Sequence, residues 1–167
     1  MSLDSDLAAW DGRSASDIQA VFDRHHESAD FVALLLEKCR DPSSQKGATW
    51  LLKRWLEVGG VLKDREIDHL YGALKSLHDW EAELHVLQML PFLSIERRHK
   101  QSVEAFLRKT LVSEHKFVRA WAYNGFYELA IRFPEYLEET RQIFDLAMRD
   151  EAPSVKARIR NLKKKGF

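Results

Sequence analysis

Residues 115–126, HKFVRAWAYNGF, return thirty-seven residues later as APSVKARIRNLK, so that Val118-Arg119-Ala120 becomes Val155-Lys156-Ala157. Sliding the chain against itself by 36 residues, with one extra residue before the last unit, extends the echo to four units. Leu34, Leu70, Phe106 and Ile143 align, as do Leu35, Tyr71, Leu107 and Phe144. Phe31, Ile67 and Val103 form a third column, with Thr140 as its exception. Ala48, Leu84, Ala120 and Ala157 form a fourth, and Trp50, Val86, Ala122 and Ile159 a fifth. The column of Lys46, Ala82, Val118 and Val155 is apolar in only three units. An apolar pattern that repeats at this length points to stacked supersecondary units.

Each unit holds two amphipathic runs. The first helices are expected near 29–40, 64–76, 97–112 and 135–149, and the second near 43–58, 79–92, 115–132 and 153–165. Leu occurs 22 times against 18 for Val, Ile and Thr together, a balance that favours helix. Local signals agree with the cut. Asp41-Pro42 reads as N-cap and first helical residue, Gly59-Gly60 as a stop, Pro134 as a separator, and Asp64 and Ser94 as caps. A further helix near 15–26, opened by SASD, is expected to lie across the first unit.

One helix pair cannot bury its own apolar stripe, whereas stacked pairs share a continuous core. The sequence therefore predicts an all-α fold: an α-α superhelix of about four stacked antiparallel pairs with an N-terminal cap helix. Residues 1–13 read as an N-terminal arm and 14–167 as a single repeat domain.

With this unit length and the second-helix openings FVRAWA and SVKARI, the stretch from 29 to 165 resembles HEAT/armadillo helical repeats. The resemblance implies a ladder in which an acid between the two helices meets a base early in the second. Asp150 with Arg119 and Lys156 fits that role. Gly47 and Glu83 do not, which confines the ladder to the C-terminal half. The resemblance also implies that second helices line a concave face.

Chemistry-bearing motifs are sparse. The single cysteine, Cys39, excludes an internal disulfide and a thiolate zinc cage, fits a reducing, cytoplasmic setting, and sits inside an apolar run where a structural thiol is expected. His25 and His26 are adjacent and diverge by about 100° on a helix. His78 and His85 could share a face but lack an acid or thiol at ligand spacing, and no HExxH occurs. There is no GxSxG and no Gly-rich phosphate loop. Glu81/Glu83 and Glu138/Glu139 are too close in sequence to face each other on a helix. The chain is expected to be non-catalytic, with no metal or cofactor. No membrane span is expected, and MSLDSDLAAW lacks the features of a signal peptide.

Two features suggest binding. Aromatic residues crowd the second helices: Trp50, Trp55, Trp80, Trp121, Tyr123, Phe126 and Tyr127. Trp50 and Phe126 read as core, whereas Trp55 and Tyr127 share a column with Pro91 and Lys164, which is unlike core. The second feature is VKARIRNLKKKGF. There Val155, Ile159 and Leu162 make the buried stripe, while Lys156, Arg158, Arg160, Lys163, Lys164 and Lys165 point elsewhere. This run reads either as the polar face of a terminal repeat or as an anion patch extended by Arg97, Arg98, Lys100, Lys116 and Arg119. The candidate binding residues are Trp55, Arg119, Tyr123, Tyr127, Lys156, Arg160 and Lys164.

Basic and acidic residues balance at 26 each, so the whole chain exerts no net pull on polyanions. The expected function is a macromolecule-binding scaffold, monomeric or weakly dimeric, that recognises another protein through the concave face. The alternative is a nucleic-acid-binding repeat protein. SEHKFVRAWAYNGF and RDEAPSVKARIRNLKKKG look similar in repeat style to HEAT-type alkylpurine DNA glycosylases. That family requires an aspartate beside a tryptophan in its groove. Here the only such neighbours are Trp10-Asp11, outside the repeats, and Asp79-Trp80, which opens a helix.

Overall fold

The Ser14 hydroxyl accepts a hydrogen bond from the Asp17 amide at 3.2 Å, and a helix runs from there over Ala15–His25. The same physics, a polar group satisfying an orphan amide, starts Trp80–Met89, where the Asp79 carboxylate accepts from the amides of Glu81 and Ala82. The computed structural model describes residues 1–167 and is all-helical, without strand. Its helices are α1 Leu3–Ala9, α2 Ala15–His25, α3 Phe31–Lys38, α4 Gln45–Glu57, α5 Asp64–Gly72, α6 Trp80–Met89, α7 Lys100–Leu111, α8 Lys116–Arg132, α9 Leu137–Asp150 and α10 Pro153–Lys163. Short 3-10 turns at Leu74–Ser76, Leu90–Phe92, Arg97–His99 and Pro134–Tyr136 adjoin α5, α6, α7 and α9. No helix is long and apolar enough to cross a membrane.

Several local expectations are corrected. Asp41 does not cap α4. Its carboxylate binds the amide and hydroxyl of Ser43, closing a turn, and α4 begins at Gln45. Asp64 is the first residue of α5. The cap position is Lys63, whose amide donates to Glu66 at 2.7 Å. Residue 94 opens no helix: the turn before α7 starts at Arg97, with Glu96 at its cap.

The stretch read as an arm contains α1. Leu3 and Leu7 are buried, and α1 packs on α2. Asp6 is buried too, because Arg24 Nε and His25 Nε2 reach its carboxylate at 3.1 and 2.7 Å. The His25 hydrogen bond outweighs burial and, with Arg24, holds the Asp6 carboxyl below its ordinary range. Gly47 makes the docking possible, since a Cβ there would stand 2.8 Å from Leu7 Cδ2 and 3.3 Å from the Trp10 ring.

The chain divides into two compact units, 1–93 and 94–167. In the first, α4 packs against α2, α3 and α6, and α3 also meets α5. In the second, α8 packs against α7, α9 and α10. The expected domain from 14 to 167 draws residues from both units. Leu35, Tyr71, Leu107 and Phe144 are all buried, as one column requires. Thr140, the polar exception of its column, is fully buried, and its hydroxyl has no hydrogen-bond partner.

Ala120 is 6% exposed in a cluster with Tyr123, Phe144, Val155 and Ile159. Ala120→Leu overpacks this contact and should cost about 1–3 kcal/mol in urea denaturation. An unchanged midpoint would show that the column carries no packing constraint.

Candidate functional site

In the N-terminal unit, Trp55 sits near the end of α4, half-buried, with its ring edge-on to Phe31 at 6.0 Å. Its indole nitrogen is buried without a partner. Gly60 lies directly against the ring, where a Cβ would fall 2.3 Å from Trp55 Cε2. The stop signal at Gly59-Gly60 thus also makes room for the tryptophan, and Trp55 acts mainly in packing.

Several polar contacts of this unit are interior. Gln45, fully buried, accepts from the amides of His78 and Asp79 and donates to the Ser76 carbonyl, fixing the turn before α6. Thr49 donates to the Gln45 carbonyl at 2.8 Å, and its oxygen meets His85 Nδ1 at 3.0 Å. Lys46 reaches Glu81 at 2.6 Å, an ion pair between α4 and α6 where no ladder was expected. Cys39 is buried, and burial pushes its thiol up to about 12, which leaves no thiolate. No three His, Cys, Asp or Glu side chains converge as metal ligands.

In the C-terminal unit Arg119 and Tyr123 come together, but around a different acid from the expected one. Arg119 grips Glu151, not Asp150, with Nε to Oε1 at 2.8 Å and Nη2 to Oε2 at 3.1 Å. The residue after the last turn of α9 faces inward, while Asp150 is exposed. Nη1 of Arg119 donates to the carbonyls of Ser113 and Glu114, and the Tyr123 hydroxyl donates to Glu151 at 3.3 Å. Burial opposes ionisation of Glu151, but the hydrogen bonds from Arg119 and the Ala152 amide prevail and hold it below its ordinary range. Burial, with the Glu151 charge, pushes Tyr123 up to about 12. An open groove of about 460 Å³ lies over this cluster, with Val112 and Leu146 exposed at its rim. The Arg119 donors are taken up inside the cluster, so it ties loop 113–114 and α8 to the α9–α10 junction.

Tyr127 is half-buried against Phe167 at 5.1 Å, with Lys165 Nζ 5.8 Å from its ring. Lys156, Arg160 and Lys164 have no carboxylate within ion-pair distance. Lys156 is half-buried, and the other two are exposed. In the repeat register these three stand where α8 carries Arg119, Tyr123 and Tyr127. The positions that on α8 meet Glu151, Phe144 and Phe167 are thus all cationic at the last helix. Most of the expected extension of the patch is neutralised: Arg98 pairs with Glu96, Lys100 with Glu135 and Arg119 with Glu151.

The sequence did not single out the contact between Trp121 and Arg158. The Arg158 guanidinium carbon lies 3.8 Å from the centre of the Trp121 ring, and one Nη is 3.4 Å from Asn124 Oδ1. The sequence signal was the register itself, because Trp121 and Arg158 occupy one column, as do Thr49 and His85.

Zero net charge also conceals a partition. Residues 1–93 carry 10 basic and 16 acidic side chains, and residues 94–167 carry 16 and 10. The units are therefore of opposite sign, six charges each. No family model matches the chain, and neither a curated protein nor a solved structure matches it.

Proposed function

We propose that the chain is a helical-repeat scaffold of HEAT/armadillo type that binds another protein through the faces of its second helices. The observation that carries this reading is the packing of second helix on second helix, α4 on α6 and α8 on α10. Such neighbours offer adjacent outward faces, and a broad rigid surface suits recognition of a macromolecule. The reading is tested by cross-linked capture on the full chain before and after nuclease treatment. Discrete protein partners that survive nuclease are expected. Their complete loss after nuclease, or no capture at all, would overturn it.

Nucleic-acid binding is the second reading, favoured by the excess of six positive charges in residues 94–167 and by the unpaired Lys156, Arg160 and Lys164. If those side chains and up to two neighbouring cations contact phosphates, affinity for duplex DNA should fall with a log–log salt slope of roughly −3 to −5. The expected result is negligible binding at about 150 mM salt, because basic and acidic residues balance over the whole chain and leave no wider field to steer a polyanion. A gel shift comparing wild type with the Lys156/Arg160/Lys164→Glu triple variant decides it. Micromolar binding that the variant loses would promote the nucleic-acid reading.

A further inference from the structure

Four of the nine arginines in residues 94–167 pair with carboxylates, Arg98 with Glu96 among them. Arg108 meets Glu104 and Glu139, Arg119 meets Glu151, and Arg132 meets Glu128. Hydrogen bonds donated to their acids raise the pKa of Arg108 and Arg119. Of the five without a carboxylate, Arg97, Arg141, Arg149 and Arg160 are exposed, whereas Arg158 is half-buried, and burial alone shifts its pKa downward. Its only polar contact is a long one to the Asn124 amide oxygen.

The guanidinium plane rests against Trp121 at 3.8 Å, which holds the side chain without using its edge donors. A stacked guanidinium is a pre-organised fork, and five N–H donors are far more than one weak contact consumes. One turn earlier on the same face of α8 stands Phe117, 54% exposed, with Lys116 Nζ 5.4 Å from its ring. An exposed aromatic one turn from the tryptophan that holds an unspent fork offers one apolar and one anionic contact about a helical turn apart. On α10 the neighbours of Arg158 at one turn in either direction are Ser154 and Asn161, both neutral. A lone fork with neutral flanks fits a carboxylate better than a run of phosphates. The surrounding unit carries an excess of six positive charges, which favours an acidic partner at encounter.

We propose that Trp121, Arg158 and Phe117 anchor an acidic peptide segment of the partner protein, with a carboxylate on the Arg158 fork and an aliphatic side chain on Phe117 and Trp121. This rests on the scaffold reading and names the chemistry its partner presents. Aromatic and arginine side chains are the residue types that dominate binding energy when they meet their complement.

The test uses the full chain and fluorescence anisotropy near about 150 mM salt. The probe is a labelled dodecapeptide alternating Glu and Leu. The same peptide with Lys for Glu and a single-stranded dodecanucleotide serve as comparisons. The Glu–Leu peptide should bind and the Lys–Leu peptide should not. Arg158→Gln should weaken binding by about tenfold or more, and Arg158→Lys, which keeps the charge but loses the fork, should restore only part of it. Circular dichroism melts of both variants should match wild type. Absence of Glu–Leu binding, equal binding by Arg158→Gln, or oligonucleotide binding that Arg158→Gln abolishes would each overturn the anchor. If nuclease-resistant partners are captured equally by wild type and Arg158→Gln, the anchor falls and the scaffold stands. If neither captures any, both fall.

Discussion

Acidification from pH 6.5 toward 3 is expected to strip stability from the protein through one residue, His85. The side chain is 7% exposed, and burial, reinforced by Lys53 and Lys46, pushes its pKa from 6.5 down to about 3. Thr49 gives its proton to the Gln45 carbonyl, which leaves the hydroxyl oxygen to accept from a neutral Nδ1–H. In the window between the two values the unfolded chain holds a proton that the folded chain refuses. Stability therefore rises with pH there, is complete above 6.5, and is lost on going down. The slope approaches about 1.4 kcal/mol per pH unit, for a total on the order of 5 kcal/mol. The depressed carboxyls of Asp6, Glu104 and Glu151 act with the same sign, but only below their ordinary range near 4. The interval from pH 6.5 to 5 lies above the carboxyl range. Urea midpoints across that interval should fall more steeply for wild type than for His85→Asn. Parallel slopes in the two proteins would remove His85 from the account.

Phe144→Ala is expected to have the other large effect. Phe144 is fully buried, with Tyr123 at 6.2 Å edge-on and Phe167 at 5.5 Å, in a cluster with Ala147, Val155 and Ile159. Removing the ring forfeits its transfer free energy and leaves a cavity that helices α8, α9 and α10 can only partly close. The cost should be about 3–5 kcal/mol. The chain-terminal Phe167 should loosen with it, since Phe144 and Tyr127 are its aromatic neighbours. Urea denaturation followed by helical circular dichroism measures the loss. A cost under about 1 kcal/mol would mean the ring is not part of a cooperative core.

The helices were legible because burial at α-helical spacing is a collective signal. The nine expected helices fall within a few residues of α2 to α10, and Leu35, Tyr71, Leu107 and Phe144 all reach the interior. What escaped depends on single contacts. A seven-residue helix with two buried leucines is too short for periodicity, so α1 read as an arm. Asp6 looks like a solvated acid until Arg24 and His25 arrive from the next helix. Asp150 and Glu151 are adjacent acids, and only the phase at which α9 ends decides which one meets Arg119. Arg158 lies off the buried stripe of its own helix, and no pattern within α10 reveals a tryptophan on α8. The inter-helix contacts were nonetheless written in the register, because Thr49 with His85 and Trp121 with Arg158 are same-column neighbours that touch.

The opposite charge of the two units also bears on assembly. A contact that joins residues 94–167 of one molecule to residues 1–93 of another brings a surplus of six positive charges to a surplus of six negative ones, whereas two copies of the same unit repel each other. Encounters between copies are thus steered head to tail rather than like to like, although the net charge of the whole chain is zero, and salt weakens that steering.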